Sequence, residues 1–107
     1  MRILVLGAGL QGSACAFDLL ETSDADITLA DRDTTRLPPF LASHVGKRLS
    51  LASVDGRDPA SLQRAMDGHA AVLSALPYYL NAQAAELAIE AGAHFADLGG
   101  NTEIVRR

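Results

Sequence analysis

The sequence predicts an α/β fold of three layers, in which a doubly wound parallel sheet is covered by helices on both faces. Short apolar runs alternate with segments of helical apolar spacing along the 107 residues, which is typical of βαβ units. The first run, residues 2–6, shows no alternation, as expected for a parallel strand buried on both faces. Right-handed crossovers then predict the strand order 3-2-1-4-5, with a crevice at the carboxyl ends between strands 1 and 4.

The first helix is predicted between two strands. These strands cover residues 2–6 and 27–30, and Gly7 ends the first of them. An apolar stripe at helical spacing lies between them and predicts a helix that packs on the sheet. The stripe consists of Leu10, Ala14, Phe17 and Leu20.

The middle of the chain predicts a third strand and a well-marked helix. Pro38-Pro39 limit any helix within residues 34–44 to a short or irregular one, and the third strand follows at residues 49–54. Asp58-Pro59 is typical of a helix start, with the aspartate as cap and the proline in the first turn. Gly68 ends this helix.

The last part of the chain predicts two more strands around a helix. The fourth strand covers residues 70–76, and the fifth covers residues 94–98. Between them, Asn81 is placed as the cap of a helix that runs through Ala91 and ends at Gly92. The length of 107 residues then predicts one compact domain.

A glycine-rich turn follows the first strand and opens the first helix. Gly7, Gly9 and Gly12 have the GxGxxG spacing of dinucleotide-binding loops. Gly7 permits the tight turn, Gly9 lets the backbone approach a pyrophosphate, and Gly12 lets the helix pack on the sheet. The amides at the helix start, including Leu10 and Gln11, face the anion. The loop predicts a Rossmann-type cofactor site, although a strand-to-helix turn without a ligand can have the same spacing.

Three charged residues at strand ends bear on the adenosine half of the cofactor. Asp31 lies nineteen positions beyond Gly12 at the end of the second strand; its carboxylate would bind the ribose hydroxyls and repel a 2′-phosphate, which favours NAD. Arg32 keeps NADP possible, because its guanidinium could pair with a 2′-phosphate if Asp31 turned away. Asp55 could meet the adenine edge, but Asp-Gly before a helix is equally a common turn.

The ends of strands 4 and 5 meet the same crevice. A wall of small and apolar residues beside the nicotinamide end is predicted from Ala75, Leu76 and Pro77. Tyr79 is expected only to pack nearby. Candidates on the substrate side are Tyr78, Gly99 and Gly100, since paired glycines let backbone approach a ligand or another domain.

Composition argues against several classes of partner and site. The net charge is −4, and neither the basic nor the aromatic residues cluster as a surface that binds phosphates and stacks bases requires, so nucleic acid is not expected. No apolar run approaches the roughly 20 residues of a membrane span, and without a signal-peptide pattern the cytoplasm is the expected location. Cys15 is the single cysteine, and His44, His69 and His94 lack metal-ligand spacing, so no metal site or catalytic base is predicted.

Four stretches together resemble a known family: LVLGAGLQGSACAFDLL, ITLADRD, VDGRDPASL and VLSALPYYLNAQAAELAIEAGAHFADLGGNTEIV. They resemble the amino-terminal cofactor domain of the saccharopine dehydrogenase family, nearest its lysine 6-dehydrogenase-like branch, over almost the whole chain. SALPYYLN and HFADLGGNT are more specific than the glycine loop, which many dinucleotide binders share. The resemblance implies an NAD(P)-dependent oxidoreductase that acts at the carbon–nitrogen bond of a lysine-derived amino acid, as a homodimer. It gives the cofactor role to the glycine loop and Asp31, and the nicotinamide-side wall to residues 75–77.

The resemblance also implies a longer protein. Complete members continue through a substrate and dimerisation domain, which we expect outside residues 1–107, so this chain alone should bind cofactor without turnover. The implied chemistry is hydride transfer from the carbon beside a substrate amine to the nicotinamide. A nucleotide-sensing regulatory domain of a potassium transport system is the alternative, because such domains share the glycine loop and the acidic strand end. The apolar segment 76–79 counts against it.

Overall fold

The computed structural model describes residues 1–35 and 37–97, without the side chains of Leu10 and Tyr78. Five strands alternate with four helices in this part of the chain. In chain order they are β1 (Arg2–Leu6), α1 (Leu10–Thr22), β2 (Asp26–Asp31), α2 (Pro39–Ala42), β3 (Leu49–Ser53), α3 (Pro59–Met66), β4 (Ala71–Ser74), α4 (Tyr78–Glu90) and β5 (His94–Asp97).

The five strands form one sheet in the order β3-β2-β1-β4-β5, and every pair of neighbours is parallel. The predicted fold class and strand order are therefore confirmed. Leu6 of β1 lies between Ala30 of β2 and Ser74 of β4, so the strand ends that carry the predicted site meet at one edge of the sheet.

Two apolar clusters cover the two faces of the sheet. Leu4 and Leu6 of β1 belong to the cluster beneath α3 and α4, whereas Ile3 and Val5 belong to the cluster beneath α1 and α2. Consecutive residues of one strand are thus buried on opposite faces, which explains why β1 has no polar alternation. The three layers follow from this arrangement.

The buried face of α1 differs from the predicted stripe. Leu20 is buried as expected, but Ala14 is exposed, and the positions that face the sheet are Gly12, Ser13 and Ala16. The Ser13 hydroxyl lies 2.9 Å from the Ala8 carbonyl oxygen, to which it donates a hydrogen bond, and this pairing allows a polar side chain to be buried there. A Cβ on Gly12 would lie 1.7 Å from the Gly7 carbonyl oxygen, so this close approach sets the rotation of the helix.

The turn between β4 and α4 also differs from the prediction. β4 ends at Ser74 rather than at residue 76, and α4 begins at Tyr78, directly after Pro77. Asn81 is consequently not a cap; it lies inside the first turns of the helix, buried, where its Oδ1 accepts a hydrogen bond from the Ser74 hydroxyl. The role of Asn81 therefore follows from its tertiary hydrogen bond with Ser74 and not from a place at the start of the helix.

Asp58 caps α3 as predicted, with its carboxylate accepting a hydrogen bond from the Ala60 N–H at 3.1 Å.

At the opposite edge of the sheet from the predicted site, Arg48 binds the end of α1. Its guanidinium donates hydrogen bonds to the carbonyl oxygens of Leu20, Ser23 and Ala25. Charge on the guanidinium also suits the negative end of the helix dipole.

His69 is a buried titratable residue away from the predicted site. Its Nε2 lies 2.9 Å from the Thr28 hydroxyl oxygen, and its side chain is buried just before β4. Burial lowers the pKa of His69, and the nearby Arg2 guanidinium lowers it further, against the opposing carbonyl groups at the end of α3. The imidazole is therefore held in its neutral form.

We expect the stability of the domain to fall as the pH is lowered below about 6.5, the ordinary pKa of histidine. In that range the unfolded chain binds a proton at His69 before the folded chain does, and each unit of pKa difference is worth about 1.4 kcal/mol. Urea unfolding from pH 7.5 to 5 measures this slope. His69→Gln should flatten it, whereas His94→Gln, at an exposed position, should leave it unchanged; equal slopes in all three proteins would contradict the assignment.

Candidate cofactor site

The glycine turn connects β1 to α1 at the carboxyl edge of the sheet. Gly7 has a φ of 98°, a backbone conformation that glycine adopts without strain. Its N–H donates to the Ala30 carbonyl oxygen at 2.7 Å, and a Cβ on Gly7 would lie 3.3 Å from the carbonyl carbon and oxygen of Ala75. Gly7 thus joins the ends of β1, β2 and β4.

Gly12 and Gly9 differ sharply in the space around them. A Cβ on Gly12 would lie 1.7 Å from the Gly7 carbonyl oxygen, whereas a Cβ on Gly9 would meet nothing within 4 Å. Gly9 is also the N-cap of α1 and has no side-chain cap. The loop is therefore tightly packed at Gly12 and has open space at Gly9. At Gly9, the N–H groups in the first turn of α1 are suited to bind an anion.

Asp31 links the glycine turn to the end of β2. Its Oδ2 accepts a hydrogen bond from the Ala8 N–H at 2.7 Å, and its Oδ1 accepts one from the Arg32 N–H at 2.6 Å. Two backbone donors thus fix the carboxylate beside the loop. Each oxygen retains a further lone pair for a ligand hydroxyl.

A cleft of about 250 Å³ opens beside Asp31. Its volume is below the range of pockets that enclose drug-sized ligands, so it suits one nucleoside rather than a whole dinucleotide. The apolar lining consists of Leu6, Ala30, Val54, Gly56, Leu76, Pro77 and Leu80. The remaining lining residues are Asp31, Arg32, Asp55, Arg57 and Tyr79.

Asp55 both forms a turn and lines the cleft. Its Oδ1 accepts a hydrogen bond from the Arg57 N–H at 3.0 Å and lies 3.7 Å from Arg57 Nε. The hydrogen bond from the Arg57 backbone lowers the pKa of Asp55, and the charges of Arg57 and Arg32 lower it further. Asp55 is therefore ionised at neutral pH, and the cleft mouth carries two carboxylates and two guanidinium groups.

The residues predicted to form a wall after β4, 75–77, lie in two different places. Leu76 and Pro77 line the same cleft as Asp31, whereas Ala75 lies against Gly7 of the loop. Tyr79, expected only to pack nearby, lines the cleft and is 68% exposed. Gln11 is exposed in the first turn of α1, which Leu10 begins. Gly99 and Gly100 lie outside the described residues, as does the side chain of Tyr78.

Arg57, Gly56 and Leu80 are cleft residues that the sequence analysis missed. Gly56 and Arg57 directly follow Asp55 beyond β3, so their place at the carboxyl edge of the sheet was a usable signal. Leu80 belongs to α4 and lines the cleft beside Gly56, on which a Cβ would lie 3.5 Å from Leu80 Cδ1. Local sequence carries no sign of that contact.

Residues 1–35 and 37–97 contain no helix that is long and apolar enough to cross a membrane. Within the same ranges, no group of three or more histidine, cysteine, aspartate or glutamate side chains is placed to hold a metal ion.

A parallel sheet in this order, a glycine turn that opens at Gly9 and an acidic residue at the end of β2 define a Rossmann-type dinucleotide-binding domain. The family model described as the saccharopine dehydrogenase NADP binding domain matches residues 3–106. The chain belongs to this family. The family is one of NADP-binding domains, so the cofactor of this domain is a nicotinamide dinucleotide.

Solved structures share the fold. Apo saccharopine dehydrogenase (L-Glu forming) from Saccharomyces cerevisiae superposes with a TM-score of 0.72 at 23% identity, over 90% of this chain and 21% of that one. A short-chain dehydrogenase/reductase from Veillonella parvula in complex with NADP gives 0.73 at 22% identity, over 90% and 46%. Triphenylmethane reductase from Citrobacter sp., complexed with NADP(H), gives 0.71 at 24% identity, over 91% and 36%. This chain therefore spans less than half of each of these proteins.

Proposed function

We propose that this domain binds the adenosine of its cofactor in the cleft beside Asp31 and the pyrophosphate over Gly9 at the start of α1. The open space at Gly9 is the observation that carries the proposal, since the adjacent helix start has no side-chain cap. The apolar lining of the cleft fits an adenine ring, and the fixed carboxylate of Asp31 fits the ribose hydroxyls.

The substrate we propose is a lysine-derived amino acid, oxidised at a carbon–nitrogen bond by the longer protein to which this domain belongs. When bound, the cofactor supplies a hydride acceptor, and residues of this chain hold and orient it.

The described cleft has no lysine or histidine in its lining, so we place the catalytic base and the substrate pocket in a second domain. The domain formed by residues 1–107 should then bind cofactor on its own without turnover. The whole protein should act as a homodimer in the cytoplasm. The family match favours this function over a nucleotide sensor.

Among nicotinamide cofactors we propose a preference for NAD over NADP. The 2′-phosphate of NADP would fit only if Asp31 turned away from the ribose, and both carboxylate oxygens are held by backbone N–H groups of Ala8 and Arg32. Arg32 and Arg57 stand nearby, but both charges act on the Asp55 carboxylate. The fixed negative charge of Asp31 therefore dominates at the ribose.

Asp31→Asn should reverse or abolish this preference. The variant keeps one acceptor oxygen and loses the charge, so NADPH should bind about tenfold more tightly relative to NADH, an energy of about 1.4 kcal/mol. Isothermal titration calorimetry with both reduced cofactors measures the ratio. Asp33→Asn is the matched control, because it removes a negative charge two residues away that does not line the cleft. An unchanged ratio in Asp31→Asn would refute the proposed ribose contact.

A further inference from the structure

We infer that Ser74 and Asn81 are positioning residues for the adenosine cleft, an inference that rests on the proposed function. Both side chains are buried, with exposures of 0% and 9%, Ser74 at the end of β4 and Asn81 in the first turns of α4. Neither lines the cleft. Their effect on the cofactor would pass through Leu76, which does.

A single hydroxyl group connects helix α4 to Leu76. Ser74 Oγ donates a hydrogen bond to Asn81 Oδ1 at 2.6 Å and accepts one from the Leu76 N–H at 3.2 Å. Just before it, the Ala75 N–H still donates to the Leu6 carbonyl oxygen of β1 at 2.8 Å. Leu76 is thus the first residue of the turn whose N–H donates to a side chain instead of to a neighbouring strand. Asn81 orients the Ser74 hydroxyl oxygen that accepts this hydrogen bond.

Leu76 reaches across the cleft toward the turn after β3. A Cβ on Gly56 would lie 3.2 Å from Leu76 Cδ2 and 3.3 Å from its Cδ1. The Leu76 side chain therefore closes the floor of the cleft between the ends of β4 and β3. A shift of its backbone changes the shape of the cleft that faces Asp31 and Asp55.

Packing alone does not require this pair. A buried hydroxyl and amide cost more to desolvate than apolar side chains of the same shape, and replacing both partners together is nearly neutral for stability. The Thr28–His69 pair, with oxygen and nitrogen 2.9 Å apart, is a comparable hydrogen bond that does not touch the cleft. It provides the matched control.

The decisive variant is Ser74→Ala combined with Asn81→Leu. It keeps the approximate volumes and leaves neither partner unpaired, so the domain should fold, but the Leu76 N–H loses its acceptor. We expect affinity for NADH and for ADP to fall by the same factor, about tenfold, because the displaced wall belongs to the adenosine half. Ser74→Ala alone should show a similar loss, while Thr28→Val should bind both ligands like the wild type.

Calorimetric titration at a temperature well below every melting transition, checked by circular dichroism, measures these affinities. A folded double variant that binds NADH and ADP within twofold of the wild type would overturn the inference. So would an equal loss in Thr28→Val, since the effect would then follow stability rather than position. A wild-type domain that binds neither ligand would instead refute the proposed function, and the inference with it.

Discussion

Gly12→Ala is expected to destabilise the domain by about 3 kcal/mol or more and to abolish cofactor binding. The new Cβ would lie 1.7 Å from the Gly7 carbonyl oxygen and 2.9 Å from its carbonyl carbon. Both are backbone atoms of the turn that joins three strands, so no side-chain rotation can relieve the clash. In an ordinary helix position the same change would stabilise, because alanine has the higher helix propensity by about 1 kcal/mol.

Urea unfolding of Gly12→Ala beside Gly9→Ala tests this expectation. The two glycines lie three residues apart, but a Cβ on Gly9 meets nothing within 4 Å, so Gly9→Ala should unfold near the wild-type midpoint. Equal midpoints for the two variants would show that the α1 helix can move away from the turn at little cost. The close packing at Gly12 would then have no role in the fold.

The strand order could be predicted because it depends on regular features. Apolar runs at βαβ spacing and right-handed crossovers leave few arrangements of five strands, and the order β3-β2-β1-β4-β5 is the result. The face of α1 could not be predicted from apolar spacing, since its rotation depends on the contact between Gly12 and Gly7. Periodicity treated Ala14 as a core residue, although the helix turns it to solvent.

The candidate site could be predicted from the sequence where one local motif defines it. Asp31 follows from its spacing to the glycine loop, and the structure places its carboxylate 2.7 Å from the Ala8 nitrogen of that loop. Arg57 was within reach of similar reasoning, because it follows Asp55 just beyond β3, but Leu80 was not, because it reaches the cleft from α4. Asn81 is a similar case, since its partner Ser74 lies on another element.

Gly9→Val should leave the domain folded and weaken cofactor binding by at least about a hundredfold, or 2.8 kcal/mol. Gly9 has φ −67° and ψ −171°, an extended conformation that valine adopts readily, and its Cβ position is open. The branched side chain would fill the space that we assign to the pyrophosphate. Circular dichroism should therefore remain native while calorimetric titration with NADH shows no binding.

Ala14→Val is the matched control for Gly9→Val, because it places the same side chain at an exposed position of the same helix. It should bind NADH as the wild type does, which separates occupation of the loop from any general effect of valine on α1. Native affinity in folded Gly9→Val would mean that the glycine loop is only a strand-to-helix turn. In that case the space over Gly9 would hold no phosphate, and the adenosine cleft beside Asp31 would have to bind its ligand without the helix start.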